Sequence, residues 1–310
     1  LAGGLTNGTV GTELARLTNN TLEKNYPYLR TRVGVLEDNR LYAGAVGAGI
    51  FANSSSPVTL AFSILGAKES EIDTELQAIK EGGMDAVHLD YIDGIFTPEV
   101  EPFDGTLYMS RIQTITGLPV HMHLMSQSPG RDLFSKLIDV GLQPGRDTVM
   151  IHVESYGNIR EVREAMASLE HIKVDVALTL NPETPLRTLR GLGQDLGKVD
   201  MFNLMGVKPG ASGRPFVNRV FDKLEALVRF RSTRELFFQI RIDGGLNEQR
   251  AKRCKDLGAD ILTVRTAIIT SREDIDKAMR IFKQNISSSP VSNSSPLPVW
   301  DQAKRKAQDY

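Results

Sequence analysis

The chain has 310 residues, of which 41% are hydrophobic and 24% charged, and its formal net charge is −1. That balance excludes the basic footprint of a nucleic-acid binder and the cationic face that an anionic membrane attracts. A single cysteine, Cys254, excludes an internal disulfide framework and a cysteine-based metal cluster, and no apolar run is long enough to span a bilayer.

Residues 1–56 carry one predicted helix, Thr12–Lys24, and an apolar Gly/Ala-rich stretch around Tyr42–Ala52. They read as an N-terminal extension, either a cap or an oligomer arm, and a homo-oligomer is expected. The first residues lack a basic stretch followed by an apolar core, so the cytoplasm is the expected compartment.

From residue 57 to 285, short β-branched runs alternate with amphipathic stretches. The predicted strands are Val58–Ser63, Ala86–Asp90, Val120–Leu124, Thr148–Val153, Val174–Leu180, Met201–Met205, Phe237–Asp243 and Ile261–Val264. Between them lie helical patterns such as Glu69–Lys80, where Ile72, Leu76 and Ile79 share one face and Gly82-Gly83 ends the run. Arg131–Val140 repeats the plan with Leu133, Phe134 and Leu137. Eight strand–helix units predict an α/β fold, a (β/α)8 TIM barrel, with an open doubly wound sheet as the alternative. In a barrel the chemistry sits where strands end and the following loops begin. Residues 286–310 form a Ser/Pro-rich C-terminal tail expected to be disordered.

Strand ends supply the chemical signal. His88-Leu89-Asp90 closes the second strand, and side chains at i and i+2 share a face, here the barrel interior. His123 ends the third strand and Asp243 the seventh. One barrel histidine alone is usually a hydrogen-bonded packing residue. Two imidazoles and two carboxylates at one barrel mouth instead suit zinc or another divalent transition metal.

Six motifs in chain order then identify a resemblance. His88-Leu89-Asp90-Tyr91-Ile92-Asp93-Gly94-Ile95-Phe96-Thr97-Pro98 resembles the H-x-D-x-M-D-G-x-F-x-P block of the ribulose-phosphate 3-epimerase family. Leu118-Pro119-Val120-His121-Met122-His123-Leu124-Met125 is similar to its L-P-x-D-V-H-L-M, and Asn181-Pro182-Glu183-Thr184-Pro185 to its N-P-x-T-P. Val207-Lys208-Pro209-Gly210, Ile242-Asp243-Gly244-Gly245 and Ser63-Ile64-Leu65 resemble its V-x-P-G, V-D-G-G and S-I-L.

The resemblance implies a metal-dependent ketose-phosphate 3-epimerase that interconverts D-ribulose 5-phosphate and D-xylulose 5-phosphate. A related ketose phosphate such as allulose 6-phosphate is the alternative substrate. It implies one divalent ion, zinc first and iron, manganese or cobalt otherwise, bound by His88, Asp90, His123 and Asp243. Asp90 and Asp243 then act as acid and base at carbon 3 through a metal-stabilised enediolate. Inverting a carbon beside a carbonyl requires proton removal on one face and return on the other, which two opposed carboxylates can perform. Ser63 is expected to hydrogen-bond substrate, and Met125 and Met205 to wall it.

Departures from the family concentrate at the phosphate end. The glycine-rich loop reads Val207-Lys208-Pro209-Gly210-Ala211-Ser212-Gly213-Arg214, and Arg265-Thr266 stands where a Gly-Ser pair is usual. Gly210, Ser212, Gly213, Arg214, Gly244, Arg265 and Thr266 are therefore the expected anion-binding residues, with Lys208, Arg214 and Arg265 surrounding one anion. Arg265 either clamps or blocks that site, or turns to solvent. His121 replaces an aspartate and is expected behind the metal ligands. A non-catalytic sugar-phosphate-binding barrel and a phosphate-barrel decarboxylase or aldolase are the competing classes.

Overall fold

A computed structural model describes residues 58–210, 213–234, 236–271 and 274–287. Eight parallel strands close on themselves: β1 Thr59–Ser63, β2 Ala86–Ile92, β3 Val120–Met125, β4 Thr148–His152, β5 Asp175–Leu180, β6 Met201–Met205, β7 Gln239–Asp243 and β8 Ile261–Val264. Each pairs with the next, and β8 pairs with β1. Closure removes the open-sheet alternative. Every strand expected from sequence is present, with ends moved by a residue or two. A short strand at Phe103–Asp104, antiparallel to the end of β2, was not expected.

The connections are α1 Ile72–Glu81, α2 Met109–Thr116, α3 Arg131–Asp139, α4 Ile159–His171, a kinked 3-10 segment Leu186–Lys198, α5 Arg219–Thr233 and α6 Glu248–Asp256. A four-residue turn of helix, α7 Thr266–Ile269, and α8 Ile275–Ser287 follow β8. In α1, Ile72, Leu76 and Ile79 are buried, the stripe its periodicity predicts. Each such side chain contributes about 1.5–3 kcal/mol of burial. Asn158 starts α4 by accepting from the amides of Arg160 and Glu161. The helix Thr12–Lys24 and the rest of the extension lie outside the described residues, as does the tail beyond Ser287.

A repeated device sets the register at the foot of the barrel. Asp85, which precedes β2, accepts from the Leu60 amide at the start of β1 (2.9 Å). Asp147 before β4 does the same for Val120 of β3 (2.9 Å). Asp200 before β6 serves Val176 of β5 (2.8 Å), and Asp260 before β8 serves Ile240 of β7 (2.7 Å). Each carboxylate satisfies a strand-entry N–H that would otherwise be left unpaired in the protein's interior. It thereby ties the strands in successive pairs.

Within a strand, alternate residues serve different cores. Phe202 and Leu204 of β6 join the large apolar layer between strands and helices, whereas Met201 faces inward with Ala61, Ala86, Met150, Ala177 and Ile261. The remaining interior is polar: His88, Asp90, His121, His123, His152, Thr179, Asn203, Arg241, Asp243 and Thr263 are all buried. Buried polar groups at this density must satisfy one another or a ligand.

Candidate active site

Strand register brings the predicted quartet together. Asp90 of β2 stands beside His123 of β3, Ser63 of β1 beside His88, and Met205 of β6 beside Asp243 of β7. His88 Nε2 lies 3.1 Å from Asp90 Oδ1 and 3.4 Å from Asp243 Oδ2. His123 Nδ1 lies 3.3 Å and 3.4 Å from the same two oxygens. Ser63 Oγ donates to the other Asp90 oxygen over 3.4 Å.

A residue absent from the sequence reading orders this centre. His152, at the end of β4, is fully buried, and its Nε2 is 2.9 Å from His123 Nε2. Its Nδ1 faces Glu154 Oε2 at 3.3 Å. Burial alone would raise Glu154, but His152, with hydrogen bonds from Thr184 and the Asn181 amide, more than offsets this and holds the carboxyl below its usual range, so Glu154 is an acceptor. In the tautomer with its one ring proton on Nδ1, His152 donates to that carboxylate and accepts at Nε2. His123 then donates from Nε2, which leaves a lone pair on its Nδ1.

That lone pair provides the fit test for a metal. His123 Nδ1 is buried without a hydrogen bond and faces two carboxylate oxygens. Burial, with the His152 ring adding to it, pushes His123 down to about 4, so the ring is uncharged at neutral pH. For Asp90, burial is outweighed chiefly by His88, 3.1 Å away, and its carboxyl stays well below the usual range. Electron-rich atoms thus converge with too few protons among them. Neighbouring ligands about 2.0–2.1 Å from one cation stand roughly 3.0–3.4 Å apart, the spacing seen here. Ligand atoms of His88, Asp90 and His123 all lie within 4.8 Å of one another. The donor set fits a divalent transition metal.

Behind the quartet sits a fully buried arginine. Arg241 of β7 donates from Nη2 to His88 Nδ1 (2.6 Å), from Nη1 to His121 Nδ1 (2.6 Å) and from Nε to Thr263 Oγ1 (2.7 Å). Burial brings Arg241 down to about 10, which leaves it cationic at neutral pH. His121, lowered by burial and by Arg241, stays uncharged. It therefore lies behind the ligands, held by the guanidinium.

The mouth above the quartet is a cavity bordered by Ser63, Met125, Met205, Gly210, Gly213, Gly244, Arg265 and Thr266. Gly244 has φ +94°, and a Cβ there would come within 2.6 Å of Val207. Only glycine suits that turn. The expected cluster of three cations is not assembled. Arg265 makes paired hydrogen bonds to Glu75 (2.8 and 3.1 Å) and a third to the Ser63 carbonyl, so its guanidinium is held by the protein at the edge of the cavity. Lys208 and Arg214 both turn to Glu99, at 2.5 and 3.7 Å, and neither borders the cavity. Ser212 lies outside the described residues.

Residues 59–269 match the model of the ribulose-phosphate 3-epimerase family. The chain belongs to that family. A ribulose-phosphate 3-epimerase of Treponema pallidum is 31% identical over 212 residues, covering 68% of this chain and 91% of the relative. The Bacillus subtilis enzyme of the same name is 28% identical over 214 residues, 68% of this chain and 92% of the relative. Among solved structures, KGPDC from Streptococcus mutans superposes with a TM-score of 0.55 at 12% identity, covering 74% of this chain and 98% of that one. At that identity the likeness concerns the fold. Family membership makes the chain an isomerase of the epimerase kind. Asp93 accepts from the amides of Ile95, Phe96 and Gln127 and from the Ser126 hydroxyl, joining the loops after β2 and β3. Among the described residues no helix is long and apolar enough to cross a membrane.

Proposed function

We propose that this member is a metal-dependent ketose-phosphate 3-epimerase acting on D-ribulose 5-phosphate and D-xylulose 5-phosphate, or on a related ketose phosphate such as allulose 6-phosphate. The observation that carries the reading is the pair of buried carboxylates, Asp90 and Asp243, approaching the same two imidazole nitrogens at the floor of one cavity. The cluster of His88, Asp90, His123 and Asp243 would enclose the ion, zinc being the first expectation from its nitrogen and oxygen donors. When bound, a divalent cation polarises a ketone and the neighbouring hydroxyl and offsets carboxylate charge.

The chain's own residues account for the proton transfers. One aspartate, ionised, takes the proton from carbon 3, and the C–H electron pair passes into an enediolate. The other, protonated, returns a proton to the opposite face, and the roles exchange in the reverse direction. Asp90 is held in the ionised form that such a base requires. Ser63 Oγ, within reach of Asp90, can turn to a substrate hydroxyl. Met125 and Met205 give a polarisable wall that keeps water from the intermediate. With the three cations engaged by carboxylates, backbone N–H groups around Gly210, Gly213, Gly244 and Thr266 are left to receive the phosphate. The test is incubation of the zinc-loaded protein with ribulose 5-phosphate and, separately, allulose 6-phosphate in deuterium oxide. Deuterium at carbon 3 together with the epimer supports the reading, and neither product from any ketose phosphate would remove it.

A further inference from the structure

Two imidazoles reach the centre, and their far nitrogens have opposite partners. Behind His123 stands the His152–Glu154 pair, a chain that ends in an acceptor. Behind His88 stands Arg241, a group with five donors and no acceptor. A metal-ligating histidine needs its lone pair on the metal side and so gives its other N–H to an acceptor. His123 obeys that rule. His88 cannot, because its Nδ1 lone pair already receives a guanidinium N–H at 2.6 Å.

We infer that Arg241 fixes His88 as the tautomer with the proton on Nε2, making His88 a hydrogen-bond donor to Asp90 and Asp243, while Asp90, His123 and Asp243 alone ligate the ion. The inference rests on the metal-dependent reading above and refines it. Three further observations agree. Nε2 of His88 lies at donor distance from one carboxylate and near the other, 3.1 and 3.4 Å. Arg241 is anchored by Thr263 and His121 as well, so its position does not depend on His88. Its buried positive charge already offsets one of the two carboxylates, which weakens the pull of the centre on a second cation. Three protein ligands leave a coordination position open, the arrangement of catalytic rather than structural sites. Arg241 is thus a positioning residue: it acts on the centre through the proton of His88.

The experiment counts imidazoles. X-ray absorption of the zinc-loaded full chain is expected to show one histidine ligand, and two would overturn the inference. The variant Arg241→Gln places an acceptor behind His88, so its zinc affinity, measured by chelator competition, should rise about 10–100-fold with a second imidazole appearing. Unchanged or weaker affinity in a folded variant counts against it. Nitrogen-15 spectra of the zinc-free wild-type protein decide the tautomer without any substitution: a proton on His88 Nε2 supports the inference, and one on Nδ1 overturns it. Should wild-type protein retain no zinc at all, the metal-dependent reading fails, and the nitrogen spectra still settle the part played by Arg241.

Discussion

His123 and His152 face each other nitrogen to nitrogen across 2.9 Å, with Glu154 on the far side fixing which ring donates. This chain of three residues, from β3, β4 and the 3-10 turn that follows β4, presents the His123 lone pair to the carboxylates. Replacing His152 by Leu, or Glu154 by Gln, is expected to weaken zinc binding about 10–100-fold while circular dichroism stays unchanged. Equal affinity in both variants would show that His123 needs no such support.

Asp243 has a different role from its neighbours because it meets both imidazoles from the strand opposite β2 and β3. Asp243→Asn keeps the size of the side chain but removes a proton acceptor. Turnover should drop by at least about 10³-fold with little change in melting temperature. Activity near wild type would take Asp243 out of the mechanism.

Glu75 and Arg265 form a largely buried ion pair at the edge of the cavity, with side-chain exposures of 6% and 11%. Removing one partner of such a pair strands the other, at a cost of about 3 kcal/mol. Glu75→Gln and Arg265→Gly are each expected to lower the melting temperature by roughly 6–12 °C. KM for the sugar phosphate should change little. A rise in KM without loss of stability would return Arg265 to the substrate.

The barrel was legible because eight short apolar runs alternate with helical stripes, and period-two spacing placed His88 and Asp90 on one face. The quartet followed from strand ends alone. What sequence could not give was the pairing of charges from distant segments. Arg265 pairs with Glu75 on α1, and no sequence signal links Glu75 to residue 265. Lys208 and Arg214 likewise pair with Glu99 in the loop after β2, a contact that no local sequence pattern marks. His152 was detectable, since it closes a predicted strand as His123 does. Arg241 was also on the correct face, two residues before Asp243, but its function depends on what stands opposite.

Acid stability follows from the interior histidines. His123 in the folded protein is pushed down to about 4, below the ordinary value of 6.5, and His121 is lowered as well. The unfolded chain therefore binds these protons first, and metal-free protein should lose stability as pH falls from about 6.5 towards 4. The expected slope is roughly 1.4 kcal/mol per pH unit for each such histidine. Urea unfolding at a series of pH values measures it. A flat profile between pH 6.5 and 5 would mean that both rings take up protons in the folded state.

The central claim is that two aspartates move a proton on and off a carbon next to a ketone. Its most direct measurement is the nuclear magnetic resonance signal of the hydrogen on carbon 3 of ribulose 5-phosphate, followed in deuterium oxide with the zinc-loaded protein. The account predicts that this signal fades as xylulose 5-phosphate appears, and that neither change occurs with Asp243→Asn. Persistence of the signal with wild-type protein on this and every other ketose phosphate offered would contradict it.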